Sequence, residues 1–507
     1  MRVLSPADPH RPRRSHAWRV LLATVAGLAL VAAACGSGGG SGDGGDGGGD
    51  TAAGADACPY DALEDADAPV EVTVWHTEIG LPGQTLEQLA AEYNASQDRV
   101  VVEVEYQGTF DEQKKKYSDA MADPDTLPAI IQPDDTITQF MADSGTAIPA
   151  QACIEADPEA AEIYEDMVPI VPAAYTIEDV LWPGAFSASG AAMYANVRIL
   201  EAAGLDPNAL PSTLDELRAA AEQIKAAGVP GVEEPLVMRI ESWPLEFWTS
   251  GARTPIVNED NGRSGLATES EYANETTQEI LEWLQQMEAD GLLKYTDYSD
   301  LVAPFLAMAG ETSAFLIDTS AAISTVNSAI EGTLRPDQVG MEDGTDLSGL
   351  SFPDLRLTVG MLPGLTEPGK GQMGGAAWYL VDVGDPAVIA GAWDFMKWFN
   401  QVEQQVTWAI EASYFPVRQA AVDDPALQAF WADTVPGRWM EAAYQGFTSL
   451  DPEFPGPVIG PYTEYRQAVT NGLERIILNG ADVATTMDEV DADFQQQLDD
   501  YVADVRG

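Results

Sequence analysis

The chain has 507 residues, of which 82 are acidic and 25 basic, giving a formal net charge of −57, and 45% are hydrophobic. That length exceeds a single core and calls for two or three compact parts, with ample apolar content to fill them. So acidic a surface argues against nucleic acid and anionic membrane as partners, and acids spread along the whole chain, rather than massed in a tail, are what a saline or alkaline habitat would favour.

At the start, Arg11, Arg13, Arg14 and Arg19 lead into the apolar run VLLATVAGLALVAAA, which ends at Cys35. A run of about 15 residues is short of the roughly 20 that a membrane-crossing helix needs. Residues 1–34 are therefore expected to be a signal segment, with Cys35 the lipidated first residue of the exported protein; ordinary cleavage near the same alanines is the alternative, and Arg13-Arg14 leaves the export route, Sec or twin-arginine, open. GSGGGSGDGGDGGGD follows and cannot build a core, so 35–57 is expected to be a flexible tether. With Cys35 so assigned, Cys58 and Cys153 remain, and outside the cytoplasm such a pair is expected to form a disulfide. Those two thiols and His76, the one histidine beyond residue 34, do not make a metal site, and no cofactor is expected.

Alternating apolar residues in VEVTVW and RVVVEVEY, then TLPAIIQ, predict three strands, with helices over 84–94 and 111–121 between them. Strand and helix in alternation imply a mostly parallel α/β sheet. A second part begins near LWPGAFSASGAAMYANVRILEAAGL. Residues 211–228 read as a helix, opened by the capping pairs Ser212 with Asp215 and Thr213 with Glu216 and closed by Gly228. Further helices are predicted over 268–290, 386–411 and 460–503, and TSAFLIDTS and GGAAWYLVD read as short strands.

Taken in order, VWHTEIG, AAEYNAS, YQGTFDEQ, the long stretch FSASGAAMYANVRILEAAGLDPNALPSTLDEL, AGETSAFLIDTSA, VGMLPG with GGAAWYLV, and AWDFMKWFN leading to EASYFPVRQAA resemble the extracellular solute-binding proteins of ABC importers, family 1, and most closely its glycerol-3-phosphate-binding branch. The resemblance implies an α/β, two-lobe periplasmic-binding-protein-like fold of type II, with crossings placed near 184–189, 315–319 and 372–377 and a ligand cleft between the lobes. Lobe 1 is expected over 58–186 plus 316–373, and lobe 2 over 187–315 plus 374–507. The implied protein is a monomer on the extracellular face of the cell membrane, held there by its lipid alone, that delivers a sugar or oligosaccharide to permease subunits and their ATPase.

Cleft binding of a polyhydroxylated solute needs aromatic faces and fixed hydrogen-bonding groups. His76, Thr77 and Glu78 follow the first strand, where a parallel sheet aims its loops at the cleft. Asp134 and Asp135 end the third strand, Ser187 and Ser189 sit at the first crossing, and Asp318 with Thr319 at the second. Capping and core packing are the competing readings of these residues. By the resemblance, Trp243 and Trp248 form a stacking platform, Gly374 and Gly375 offer backbone N–H groups with Trp378 close behind, and Tyr414 reaches the ligand. In phosphate-binding relatives an arginine grips the phosphate in a loop where this chain has Val458, and Arg466 is expected to be structural. That departure favours a neutral sugar or a zwitterionic glycerophosphodiester over glycerol 3-phosphate. A glycosidase would need a carboxylate pair, which so acidic a chain always supplies, and no G-x-S-x-G, phosphate loop or HExxH is present. An enzyme is therefore not expected, and a purely structural lipoprotein is the other rival.

Overall fold

The computed structural model describes residues 57–66, 69–297, 302–339, 347, 350–368 and 370–506; Cys35, the signal segment and nearly all of the tether lie outside them. In chain order, β1 (Val70–His76) and β2 (Val100–Tyr106) are followed by the short β3 (Ile130–Ile131) and β4 (Ala147–Ile148), the small hairpin β5 (Thr176–Ile177) and β6 (Val180–Leu181), then β7 (Gly184–Ser189) and β8 (Ala191–Asn196). Next come β9 (Leu236–Arg239), β10 (Leu293–Thr296), β11 (Phe315–Thr319), β12 (Leu357–Met361) and β13 (Gly374–Val381).

These strands make two main sheets. The first has the order β2-β1-β3-β13-β4, with β7 also on β13; the second runs β10-β9-β11-β8-β12. In β1, Val72, Val74 and His76 face inward while the residues between them are more exposed, and β1 pairs in parallel with β2 across the helix Gly80–Ser96. That is the strand, helix, strand arrangement predicted for the first part.

The lobe assignment needs correction. β11 and β12 were expected in the first lobe, yet both lie in the second sheet; β13 was expected in the second and lies in the middle of the first. Phe315, Leu316 and Ile317 are buried between β9 and β8, so 315–319 is a core strand, not a crossing. Only its end, through the Ser320 hydroxyl bonded to the Gly190 N–H at 3.0 Å, reaches the true crossing. The chain passes from the first sheet to the second between β7 and β8 at Gly190, and returns through Gln372 and Met373 into β13. At the return, Gly375 has φ +132°, and an added Cβ would sit 2.3 Å from the Ser187 carbonyl oxygen, so the two crossing strands lie in contact only because that position is glycine.

Helix Pro386–Phe399 packs on β1 and β13 of the first sheet, whereas Tyr462–Asn479 and Val483–Arg506 pack on the second-lobe helix Glu275–Ala289. The predicted 386–411 helix is broken at Asn400 and Gln401, and 460–503 is broken after Gly480 (φ +63°). Helix Leu214–Ala227 keeps its predicted ends, Thr213 accepting from the Glu216 N–H and Gly228 adopting the left-handed conformation. Cys58 and Cys153 are disulfide-bonded, tying the first described residues to helix Ala150–Ala156 across 95 positions.

Candidate functional site

Between the two sheets lies a cleft of about 490 Å³, adjoined by a second volume of about 330 Å³. The two share Phe110, Asp134, Glu241, Trp243 and Arg466 as walls. Together they fall in the range of small-molecule sites, roughly 300–1,000 Å³. The first lobe contributes Asp134 and Asp135 from the turn after β3, Phe110 from the start of helix Phe110–Ala120, and Gly374 with Gly375 from β13. Ser189 and Gly190 form the floor at the crossing. From the second lobe come Arg239 at the end of β9, then Glu241, and Trp243 and Phe247 on helix Trp243–Gly251, whose Pro244 at the second helical position fits a helix start.

The lobes touch across the cleft mouth. Lys114 Nζ lies 3.4 Å from Thr463 Oγ1 and 3.7 Å from Glu464 Oε2. The Tyr501 hydroxyl donates to Asp143 Oδ2 at 2.8 Å.

Two arginines face this space, and each is matched by acids. Arg239 Nη2 lies 3.3 Å from Glu241 Oε1 and 3.6 Å from Asp318 Oδ1. Arg466 donates from Nε and Nη2 to the two oxygens of Glu246 at 3.0 and 2.9 Å, and its Nη1 lies 3.6 Å from Asp134 Oδ2. Its guanidinium stacks on the Tyr462 ring, 5.0 Å from the centroid. Burial raises Glu241 to about 7 against the pull of Arg239. Asp135 is raised to about 7, by burial first and by the charges of Asp134 and Glu246, with Arg466 opposing. Burial also raises Asp318, again with Arg239 opposing. The wall thus sets charged groups, on balance acidic, into a lining that is otherwise largely apolar and aromatic. Such a surface can bind hydroxyls through carboxylates and guanidinium N–H groups, and can cover C–H faces with Trp243, Phe247 and Phe110.

Of the residues singled out in the sequence, Asp134, Asp135, Ser189, Trp243, Thr319, Gly374 and Gly375 line the cleft, and Asp318 stands behind Arg239. Trp248 and Trp378 do not reach it, and their assignment as ligand contacts is corrected. Trp248 is fully buried, its Nε1 donating to the Pro363 carbonyl at 2.8 Å. Trp378 is buried in the aromatic cluster of the first lobe, 4.6 Å from the Phe186 ring and 5.3 Å from that of Phe395.

His76, Thr77, Glu78, Ser187 and Tyr414 form neither wall. His76 is buried beside Tyr106, and burial pushes its imidazole down to about 4, so the ring is neutral at physiological pH. The Thr77 N–H donates to Gln132 Oε1 at 2.9 Å. Glu78 accepts from the Tyr414 hydroxyl at 3.3 Å, and burial raises its carboxyl to about 7. Tyr414 in turn stacks on Trp408 with centroids 5.5 Å apart.

Sequence reasoning missed Arg239, Glu241, Phe247, Phe110 and Gln372, and treated Arg466 as structural. A single arginine ending the apolar run PLVMR was the available signal for Arg239. Val458, the position compared with a phosphate-gripping arginine, is buried away from the cleft and donates its N–H to the Asn261 carbonyl. Among the described residues, no group of three or more His, Cys, Asp or Glu side chains is placed to hold a metal ion, and no helix is long and apolar enough to cross a membrane.

The sequence profile described as bacterial extracellular solute-binding protein matches residues 88–434. The sn-glycerol-3-phosphate-binding periplasmic protein UgpB of Yersinia pestis is 24% identical over 372 residues, covering 72% of this chain and 78% of that protein. Among solved structures, the cyclic alpha-maltosyl-1,6-maltose binding protein from Arthrobacter globiformis superposes with a TM-score of 0.65 at 20% identity, over 85% of this chain and 99% of the other. UgpB from Mycobacterium tuberculosis, in complex with glycerophosphocholine, gives 0.64 at 15% identity, over 86% of this chain and 99% of that one. At such identities the structural likeness establishes the shared two-lobe α/β fold.

Proposed function

From the premise that the chain belongs to the bacterial extracellular solute-binding proteins, a family of binders and not of enzymes, we propose that it captures a sugar or oligosaccharide in the interlobe cleft and delivers it to the permease subunits and ATPase of an ABC importer. The observation that carries this reading is the pairing of both cleft arginines with carboxylates beside open aromatic faces. Cations already matched in this way leave little net attraction for a dianion, while hydroxyls can share the same donors and acceptors. The Arthrobacter relative is named for an oligosaccharide, in keeping with this choice. A zwitterionic glycerophosphodiester is the second reading, favoured by the excess of cleft carboxylates next to Trp243 and by the glycerophosphocholine bound in the Mycobacterium protein.

Calorimetry with maltose, trehalose, cyclic maltooligosaccharides and glycerophosphocholine tests the proposal. A true solute at 100 times its Kd should stabilise the fold by about 2.7 kcal/mol. No heat and no stabilisation from any of these would refute both readings. The same proposal places the protein on the outer face of the membrane, tethered through Cys35 by its lipid; a mature protein that begins elsewhere, read by mass spectrometry of the membrane fraction, would refute that placement.

A further inference from the structure

Glu246 is fully buried in the first turn of helix Trp243–Gly251, where the helix N-terminus favours negative charge. Besides the two contacts from Arg466, its Oε2 accepts from Gln372 Nε2 at 2.9 Å and from the Tyr462 hydroxyl at 3.1 Å. Burial by itself raises this carboxyl, but the Arg466 guanidinium, with hydrogen bonds from Ser242 and Gln372, holds it below the ordinary carboxylate range. The Nε and Nη2 edge of an arginine is a flat fork that fits carboxylate and phosphate two bonds at a time. Here Glu246 fills that fork from inside the second lobe, and on the outer side Nη1 faces Asp134 of the first lobe. Glu246 forms no part of either cleft wall, so it acts on a ligand only through Arg466.

We propose that Glu246 is a specificity-determining, positioning residue: its carboxylate holds the guanidinium edge that a ligand phosphate would have to occupy, so the cleft discriminates against phosphate monoesters while Arg466 keeps its outer N–H groups for hydroxyls. This rests on the reading of the cleft as a solute site and explains why a cleft with two arginines does not select dianions.

The test is calorimetry with sn-glycerol 3-phosphate and with inorganic phosphate, at fixed ionic strength, on the wild-type protein and on Glu246→Gln. Glutamine keeps the shape of the side chain but removes the charge that neutralises Arg466, so E246Q should bind either anion about 10- to 100-fold more tightly than wild type. Adding Arg466→Gln should abolish the gain. Glu441→Gln, which neutralises an exposed carboxylate that forms no part of either cleft wall, should produce no such gain. A folded E246Q that binds both anions no better than wild type overturns the proposal, as does an equal gain in E441Q. If E246Q does not fold, wild type decides: glycerol 3-phosphate bound more tightly than glycerol overturns the proposal, and equal or weaker binding supports it. Failure of every neutral sugar to bind wild type would count against the proposed function alone, because the gain of anion affinity is read without any sugar.

Discussion

Trp243 and Trp248 lie on one helix, five positions apart, and alanine at each should have opposite consequences. Trp248 is fully buried, donates to the Pro363 carbonyl and meets the Trp283 ring edge-on at 6.1 Å. A buried tryptophan hides about 150–250 Å², worth roughly 4–6 kcal/mol at 25 cal/mol per Å². Residual structure in the unfolded chain trims that figure, whereas the orphaned carbonyl adds about 1 kcal/mol. W248A should therefore lose about 4 kcal/mol, within the 3–5 kcal/mol usual for such truncations. Trp243 is partly exposed on the cleft wall. W243A should cost under about 1.5 kcal/mol of stability, yet weaken the solute by about 1–2 kcal/mol, a 5- to 30-fold rise in Kd. Urea unfolding and calorimetry with a sugar that binds wild type read the two quantities separately. A W248A protein as stable as wild type, or a W243A protein with lost stability and unchanged affinity, would refute the division of roles.

Two further outcomes are expected. Replacing Cys58 and Cys153 with serine opens a loop spanning 95 positions and should cost about 4 kcal/mol, read as a lower urea midpoint that reducing agent reproduces in wild type. Stability should also fall between about pH 5 and pH 7.5. Glu78, Asp135 and Glu241 are each raised to about 7, so the folded protein holds more protons than the unfolded chain from roughly pH 4.5 to 7 and loses stability as pH rises through that window. His76, pushed down to about 4, acts the other way: its contribution is lost as pH falls from about 6.5 to 4. Three carboxyls outweigh one imidazole, and Glu78→Gln should remove about 3 kcal/mol of the total fall across the window. A flat profile in wild type, or a profile unchanged in E78Q, would show the reasoning to be wrong.

Local chemistry was legible where its cause was local. The capping side chain of Thr213 and the left-handed Gly228 fix a helix from adjacent residues alone, and the alternation in β1 identifies a strand with one buried face. Sheet membership was not legible, because a core strand such as Phe315–Thr319 and a crossing strand such as Gly374–Val381 are both short apolar runs flanked by small residues. Their partners are chosen by the rest of the chain. Trp243 and Trp248 could not be told apart for the same reason, since only the packing of the helix decides which of them turns toward solvent. That Arg466 both pairs with Glu246 and lines the cleft was not legible, because that carboxylate lies 220 positions upstream.

The late position of β13 in the chain has a consequence for biogenesis. Among the described residues β4 pairs with no strand but β13, and β7 with none but β13 apart from a bridge to Phe415, while β3 has β1 on one side and waits for β13 on the other. A nascent polypeptide emerging from the ribosome therefore presents open strand edges until Val381 has emerged. Such edges recruit neighbours when exposed. The incomplete chain must thus be kept from self-association for most of its synthesis, and any fragment ending before that residue should aggregate rather than yield half a molecule.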